Sequence, residues 1–128
     1  MTLDWNSGEL ANGLQCYRRE EFFEAHEHWE IVWLKSQEPE KTFLQALIQV
    51  TAAFHHLQRK NVRGALSLLE AALRRLEPYP AVFGGVALGA LREELRSWVP
   101  VLEAEPPGSI ETFPRIELDK SSPEVGTA

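Results

Sequence analysis

Residues 22–33, FFEAHEHWEIVW, bring two histidines, three glutamates and two tryptophans into twelve positions. Imidazoles and carboxylates are the side chains that trade protons near neutral pH and that ligate divalent cations. On a helix, His26 and Glu30 stand one turn apart at i and i+4 and border a tryptophan face. An acid/base pair, a ligand-orienting pair and two ligands of a metal all suit that spacing. So does a hydrogen-bonded pair that does no chemistry and only fixes helix register. Each reading expects His26 and Glu30 to be partnered, because an unpaired buried polar group costs roughly 2–7 kcal/mol.

Counting ligands narrows the metal reading. The zinc-protease pattern H-E-x-x-H needs a second histidine at position 30, where Glu30 stands. Di-iron bundles need Glu-x-x-His on two helices. The chain has no Glu-x-x-His, and no acidic residue lies between 41 and 59. What remains is a three-ligand site with an open position, made by His26, Glu30 and His56. The catalytic candidates are His26, Glu30 and Glu27, and Trp33, Gln49 and His56 are the candidates to line a pocket. Glu24 and His28 project from the more polar side and are expected in solvent, while His55 lies on a flank between Leu44 and Ile48. Arg19 and His26, six residues apart, fit the Arg-x(4–6)-His pattern of some helical RNA-cleaving domains, but that motif is very short. The chain has no phosphate-binding glycine loop, no Cys-x-x-Cys and no Gly-x-Ser-x-Gly.

The elements that must position these residues are helices. Every long segment to about residue 104 has helical period, and no strand-like alternation of any length is seen. Asn6, three residues before Glu9, fits a capping box that opens a first helix over 7–18 with Leu10, Leu14 and Tyr17 on one face. The second helix, 21–35, is apolar nearly all round, the pattern of a helix buried between neighbours. The third, 40–59, carries a wide apolar face from Phe43 to Leu57, and the fourth, 62–77, one from Val62 to Leu76. Pro78, Pro80, Gly84 and Gly85 interrupt the helical pattern. A fifth helix starts near Val86 with Leu88, Leu91, Leu95 and Trp98 as its stripe, and Pro100 is expected to kink or end it.

RREEFFEAHEHWE (18–30) aligns with QRKNVRGALSLLE (58–70) at an offset of 40, placing Phe22 on Val62, Ala25 on Ala65, Trp29 on Leu69 and Glu30 on Glu70. Each copy reads as a helix end, a polar turn and a helix whose alanine admits a close neighbour, the logic of a helix-hairpin repeat. Two copies are too few for an open solenoid, so a closed bundle is expected. The reading is an all-α, single-domain bundle of about five helices: two consecutive hairpins and a capping helix over 1–105. A tail over 106–128 follows, extended around Phe113–Leu118 and then disordered.

The formal net charge of −6 argues against broad nucleic-acid or anionic-membrane contact. Cys16, the single cysteine, excludes an intrachain disulfide. No apolar run approaches the roughly 18 residues of a membrane span, and no secretory signal opens the sequence, so a cytoplasmic protein is expected.

At FFEAHEHWEIVW the chain resembles the bacterial and archaeal "domain of unknown function 309" family, whose His-x-x-x-Glu-x-x-Trp signature falls on His26, Glu30 and Trp33. LIQVTAAFHHLQRKNVRGAL (47–66) resembles that family's second block, with Lys60-Asn61 where Gly-Asn is frequent. The resemblance covers about residues 8–75. It implies an all-helical fold and makes the His26, Glu30 and Trp33 cluster a family feature, and it implies no activity. Two functions are therefore carried forward. The first is an interaction or scaffold protein with a buried His–Glu network, partnered by a protein or small molecule and able to form a homodimer through Trp5 or Trp98 as exposed aromatics. The second is a hydrolase-like enzyme, metal-dependent or not, using His26 and Glu30. No cofactor is expected, with a divalent metal as the alternative. A solvent-reachable cavity at His26 favours the enzyme, and a sealed, hydrogen-bonded His26 favours the scaffold.

Overall fold

The computed structural model describes residues 3–108 and 112–119. Among them are five helices: α1 (Gly8–Arg18), α2 (Phe22–Lys35), α3 (Glu40–Gln58), α4 (Val62–Leu76) and α5 (Leu88–Glu103). A two-stranded antiparallel hairpin, β1 (Val82–Phe83) and β2 (Val86–Ala87), precedes α5. The helix pattern expected from the sequence holds. The hairpin is a correction, since strands of two residues are too short to show alternation. Gly84 and Gly85 form its loop at φ 61° and 81°, the left-handed backbone that a two-residue hairpin turn requires.

The 40-residue repeat is present in the backbone. α1 closes with Glu20 in the left-handed region at φ 61°, and α3 closes with Lys60 at φ 63°. Glu20 N–H donates to the Tyr17 carbonyl at 2.9 Å and Glu21 N–H to that of Cys16 at 2.8 Å. Lys60 N–H donates to Leu57 at 3.0 Å and Asn61 N–H to His56 at 2.8 Å. Both are Schellman closures. The next residues, Glu21 (φ −94°, ψ 73°) and Asn61 (φ −95°, ψ 79°), open α2 and α4 with nearly the same dihedrals. Ala25 and Ala65, one turn further on, are both fully buried.

α3 is the central helix, buried from Phe43 to Phe54 along a broad face and packed between α2 and α4, with α1 against α2 and α5 against α4. Gly13 of α1 lies against the Trp29 indole, whose Nε1 donates to the Leu10 carbonyl at 3.2 Å. α1 is opened by Ser7 and not by an Asn6 capping box: Asp4 accepts from Asn6 N–H and the Ser7 hydroxyl, so the carboxylate that orders this turn comes from upstream. α5 runs past Pro100 to Glu103. Pro100 and Arg96, whose carbonyl would lose its i+4 donor there, are both exposed, so water can satisfy that carbonyl. Arg92 of α5 donates to the carbonyls of Leu76, the last residue of α4, and of Tyr79 just beyond it.

The described tail lies on the bundle. The Phe113 ring packs 4.8 Å from Phe22, 5.1 Å from Phe54 and 5.7 Å from Trp98 between centroids. Tyr17 Oη donates to the Pro114 carbonyl, Ile116 is buried, and Leu118 bridges Val86. The expected disorder falls on residues 120–128, outside the described residues.

Candidate functional site

α2 owes its position to Phe22, Ala25 and Trp29, which are fully or almost fully buried between α1 and α3. It is not buried all round. Phe23, Ile31 and Leu34 are 50%, 40% and 65% exposed, because no element among the described residues covers the side of α2 opposite the core. Successive residues rotate by 100°, so Phe23, Glu27, Glu30, Ile31 and Leu34 fall within an arc of about 100°. All five are exposed.

That geometry corrects the expected buried His26–Glu30 network. One turn along the helix rotates the side chain about 40° further round, which takes Glu30 from the half-buried flank of His26 into the exposed arc. No hydrogen bond or ion pair joins the two, or engages Glu27, among the described residues. His26 is half-buried and stacks on Phe23 at 6.4 Å. Its Nδ1 is sealed and without a partner, as is Nε1 of Trp33 seven residues on. Trp33 is half-buried, with Lys41 Nζ 4.7 Å from its ring centroid.

The other sequence candidates go elsewhere. Gln49 Oε1 accepts from Arg75 Nε of α4 at 3.1 Å. His56 Nδ1 lies 2.9 Å from Asn61 Nδ2, and Asn61 Oδ1 accepts from Gly64 N–H, so His56 steadies the side chain that caps α4. Neither is joined to His26 or Glu30. Among the described residues no three His, Cys, Asp or Glu side chains are grouped to hold a metal. Arg19 ends α1 in an exposed position. His28, expected in solvent, lies 2.5 Å from Glu9 Oε1 across the α1–α2 interface. That hydrogen bond holds the Glu9 carboxyl below its ordinary range. The aromatics expected on the surface, Trp5 and Trp98, are buried at 6% and 8% exposure. Trp5 Nε1 donates to the Gly84 carbonyl at 2.7 Å, and Trp98 packs on Phe54.

A cleft of about 500 Å³ opens at the N-terminal end of α2, lined by Glu20, Glu21, Phe23, Glu24, His55 and Arg59 among others. Another, of about 470 Å³, is lined by Tyr17, Arg18, Glu20 and residues 112–117. Neither is lined by His26, Glu30 or Trp33. Sequence reading put the interest of α2 on its polar residues. The exposed row on its outer face was visible as Phe23, Ile31 and Leu34, but nothing in the order of residues says which apolar side has no neighbour.

Fold and site define a small helical-hairpin protein whose second helix presents a face that no other described residue covers. Residues 10–68, from α1 to the middle of α4, match the family model described as domain of unknown function (DUF309). Both Schellman turns and all of α2 lie within the match. A comparison with curated proteins finds no match. No helix of the described residues is long and apolar enough to cross a membrane.

Proposed function

We propose that this is an interaction or scaffold protein, working in the cytoplasm, that engages a partner through the outer face of α2. The observation that carries this reading is that three of the five exposed large hydrophobics among the described residues, Phe23, Ile31 and Leu34, share one helix face. Apolar side chains that share an uncovered face gain by being covered, at about 25 cal/mol per Å² removed from water. A photo-crosslinking residue at position 31, with position 15 on exposed α1 surface as control, tests this in living cells. The expected result is one discrete adduct from position 31, absent from position 15 and lost when Phe23→Ser and Leu34→Ser are added. Equal labelling at both positions would refute the reading.

A second reading rests on the sealed, unpartnered Nδ1 of His26. A buried polar atom with no partner calls for one, and a ligand would supply it, with Glu30 one turn away. Elemental analysis of native protein beside His26→Ala and Glu30→Gln tests it for a metal. A stoichiometric divalent ion, lost in both variants, would put a metal-dependent hydrolase-like activity ahead of the interaction role.

A further inference from the structure

The outer face of α2 carries a second pattern inside its apolar one. Phe23, Glu27, Glu30 and Leu34 are spaced 4, 3 and 4 residues apart. This is the alternation of the a and d positions in a coiled-coil seam, with apolar residues at the ends and carboxylates at the two central positions. The seam spans about 17 Å, or three helical turns. Among the described residues, neither central carboxylate has a hydrogen bond or ion pair. Lys35, the one Lys or Arg in α2, is exposed but lies about 40° beyond Ile31, off the seam.

Whatever covers this seam must take Glu27 and Glu30 out of water, and a buried charge without a counter-charge is strongly unfavourable. A second copy of the chain fits badly. A two-fold interface is self-complementary, so two antiparallel α2 helices would set Glu27 against the partner's Glu30 and close four carboxylates into one interface. Parallel pairing sets like against like as well. A helix that is apolar at the ends of its own seam and basic at the centre answers both demands. Continuing past Phe23, the same face runs into the cleft lined by Glu20, Glu21 and Glu24 with Arg59 as its one Lys or Arg, and with the His55 ring 5.6 Å from that of Phe23.

We infer that the outer face of α2 docks an amphipathic helix of a different protein, one that presents Lys or Arg at its two central seam positions between apolar residues. This rests on the interaction reading above and goes beyond it by fixing the partner's chemistry. The probe is a synthetic helical peptide with Leu-x-x-x-Lys-x-x-Lys-x-x-x-Leu at its centre, beside the same peptide with Glu for both Lys. Each is titrated into isotope-labelled protein, with backbone amide shifts mapped and affinity followed against salt.

The expected result is that the Lys peptide moves amides of α2, binds more weakly as salt is added, and loses about tenfold in affinity on Glu27→Gln with Glu30→Gln. Glu27→Lys with Glu30→Lys should reverse the preference toward the Glu peptide. If the two peptides bind alike, or if the Lys peptide leaves α2 unmoved, the charge inference fails, while a position-31 adduct in cells would keep the interaction reading alive. If sedimentation shows a dimer of the native protein that Phe23→Ser and Leu34→Ser dissolve, the occupant is a second copy and the inference is overturned. If neither peptide nor a cellular adduct engages α2, both fail together.

Discussion

Gly13 is where the α1–α2 contact is decided. A Cβ built there would lie 2.2 Å from Nε1 and 2.4 Å from Cδ1 of Trp29, an indole with no exposure and therefore no room to retreat. Gly13→Ala is expected to lower stability by about 2 kcal/mol, within the range for overpacking a filled core. Its urea midpoint would show it, and an unchanged midpoint would mean that α1 can shift without loss. The apolar stripe of Leu10, Leu14 and Tyr17 was legible from spacing, but the glycine's role was not, because it depends on a distance to a residue on another helix. At the same interface, His28 holds the Glu9 carboxyl below its ordinary value of 4.5. A carboxyl whose pKa is lowered by folding adds stability that is full above its unfolded value and fades as pH falls through the folded one. Glu9→Gln should therefore be less stable than the native protein at neutral pH, with the difference shrinking in acid. Unfolding midpoints on both sides of the glutamate range test the sign. His28 read as solvated because its helical position is polar, and only the placement of α1 beside it supplies a partner.

At the scale of elements, the two Schellman turns carry the repeat. Glu20 and Lys60 both adopt positive φ, where a side chain costs roughly 1–2 kcal/mol relative to glycine. Lys60→Gly and Glu20→Gly are each expected to raise stability by about 1 kcal/mol, after allowing for glycine's greater freedom in the unfolded chain. Thermal melts of the single and double variants measure it, and a fall in melting temperature would show that the Lys or Glu side chain is making a stabilising contact. Helix boundaries were readable because RREE and RKN interrupt two apolar periods. The left-handed residues were not, since neither Glu nor Lys favours that region. The all-round apolar character of α2 suggested complete burial. How many sides of a helix are covered depends on how many neighbours reach it, and among the described elements α2 packs chiefly on α1 and α3.

Across the whole molecule, the last described segment belongs to the core. Phe113 sits among Phe22, Phe54 and Trp98, which come from α2, α3 and α5, and Tyr17 of α1 donates to the Pro114 carbonyl, with burial pushing its phenol pKa up. Phe113→Ala is expected to cost about 3 kcal/mol. Loss of near-ultraviolet aromatic dichroism with retained helix signal would accompany it if the ring cluster loosens before the helices do. The composition changes at Pro106 to proline and glycine, shortly after α5 ends at Glu103. It gave no measure of how far Phe113 and Ile116 reach into the bundle, because isolated apolar residues in an extended segment have no periodicity to read. The hairpin tip receives both flanks of the fold: Trp5 Nε1 donates to the Gly84 carbonyl and Asp119 N–H to that of Gly85. The path from residue 5 to residue 119 is thus a loop clasped at one dipeptide. Tension applied at those two residues would fall on the bonds of this glycine pair together with the pairing of Val86 and Ala87 to residues 117 and 118, which makes the smallest element of the fold the place where its two ends are tied.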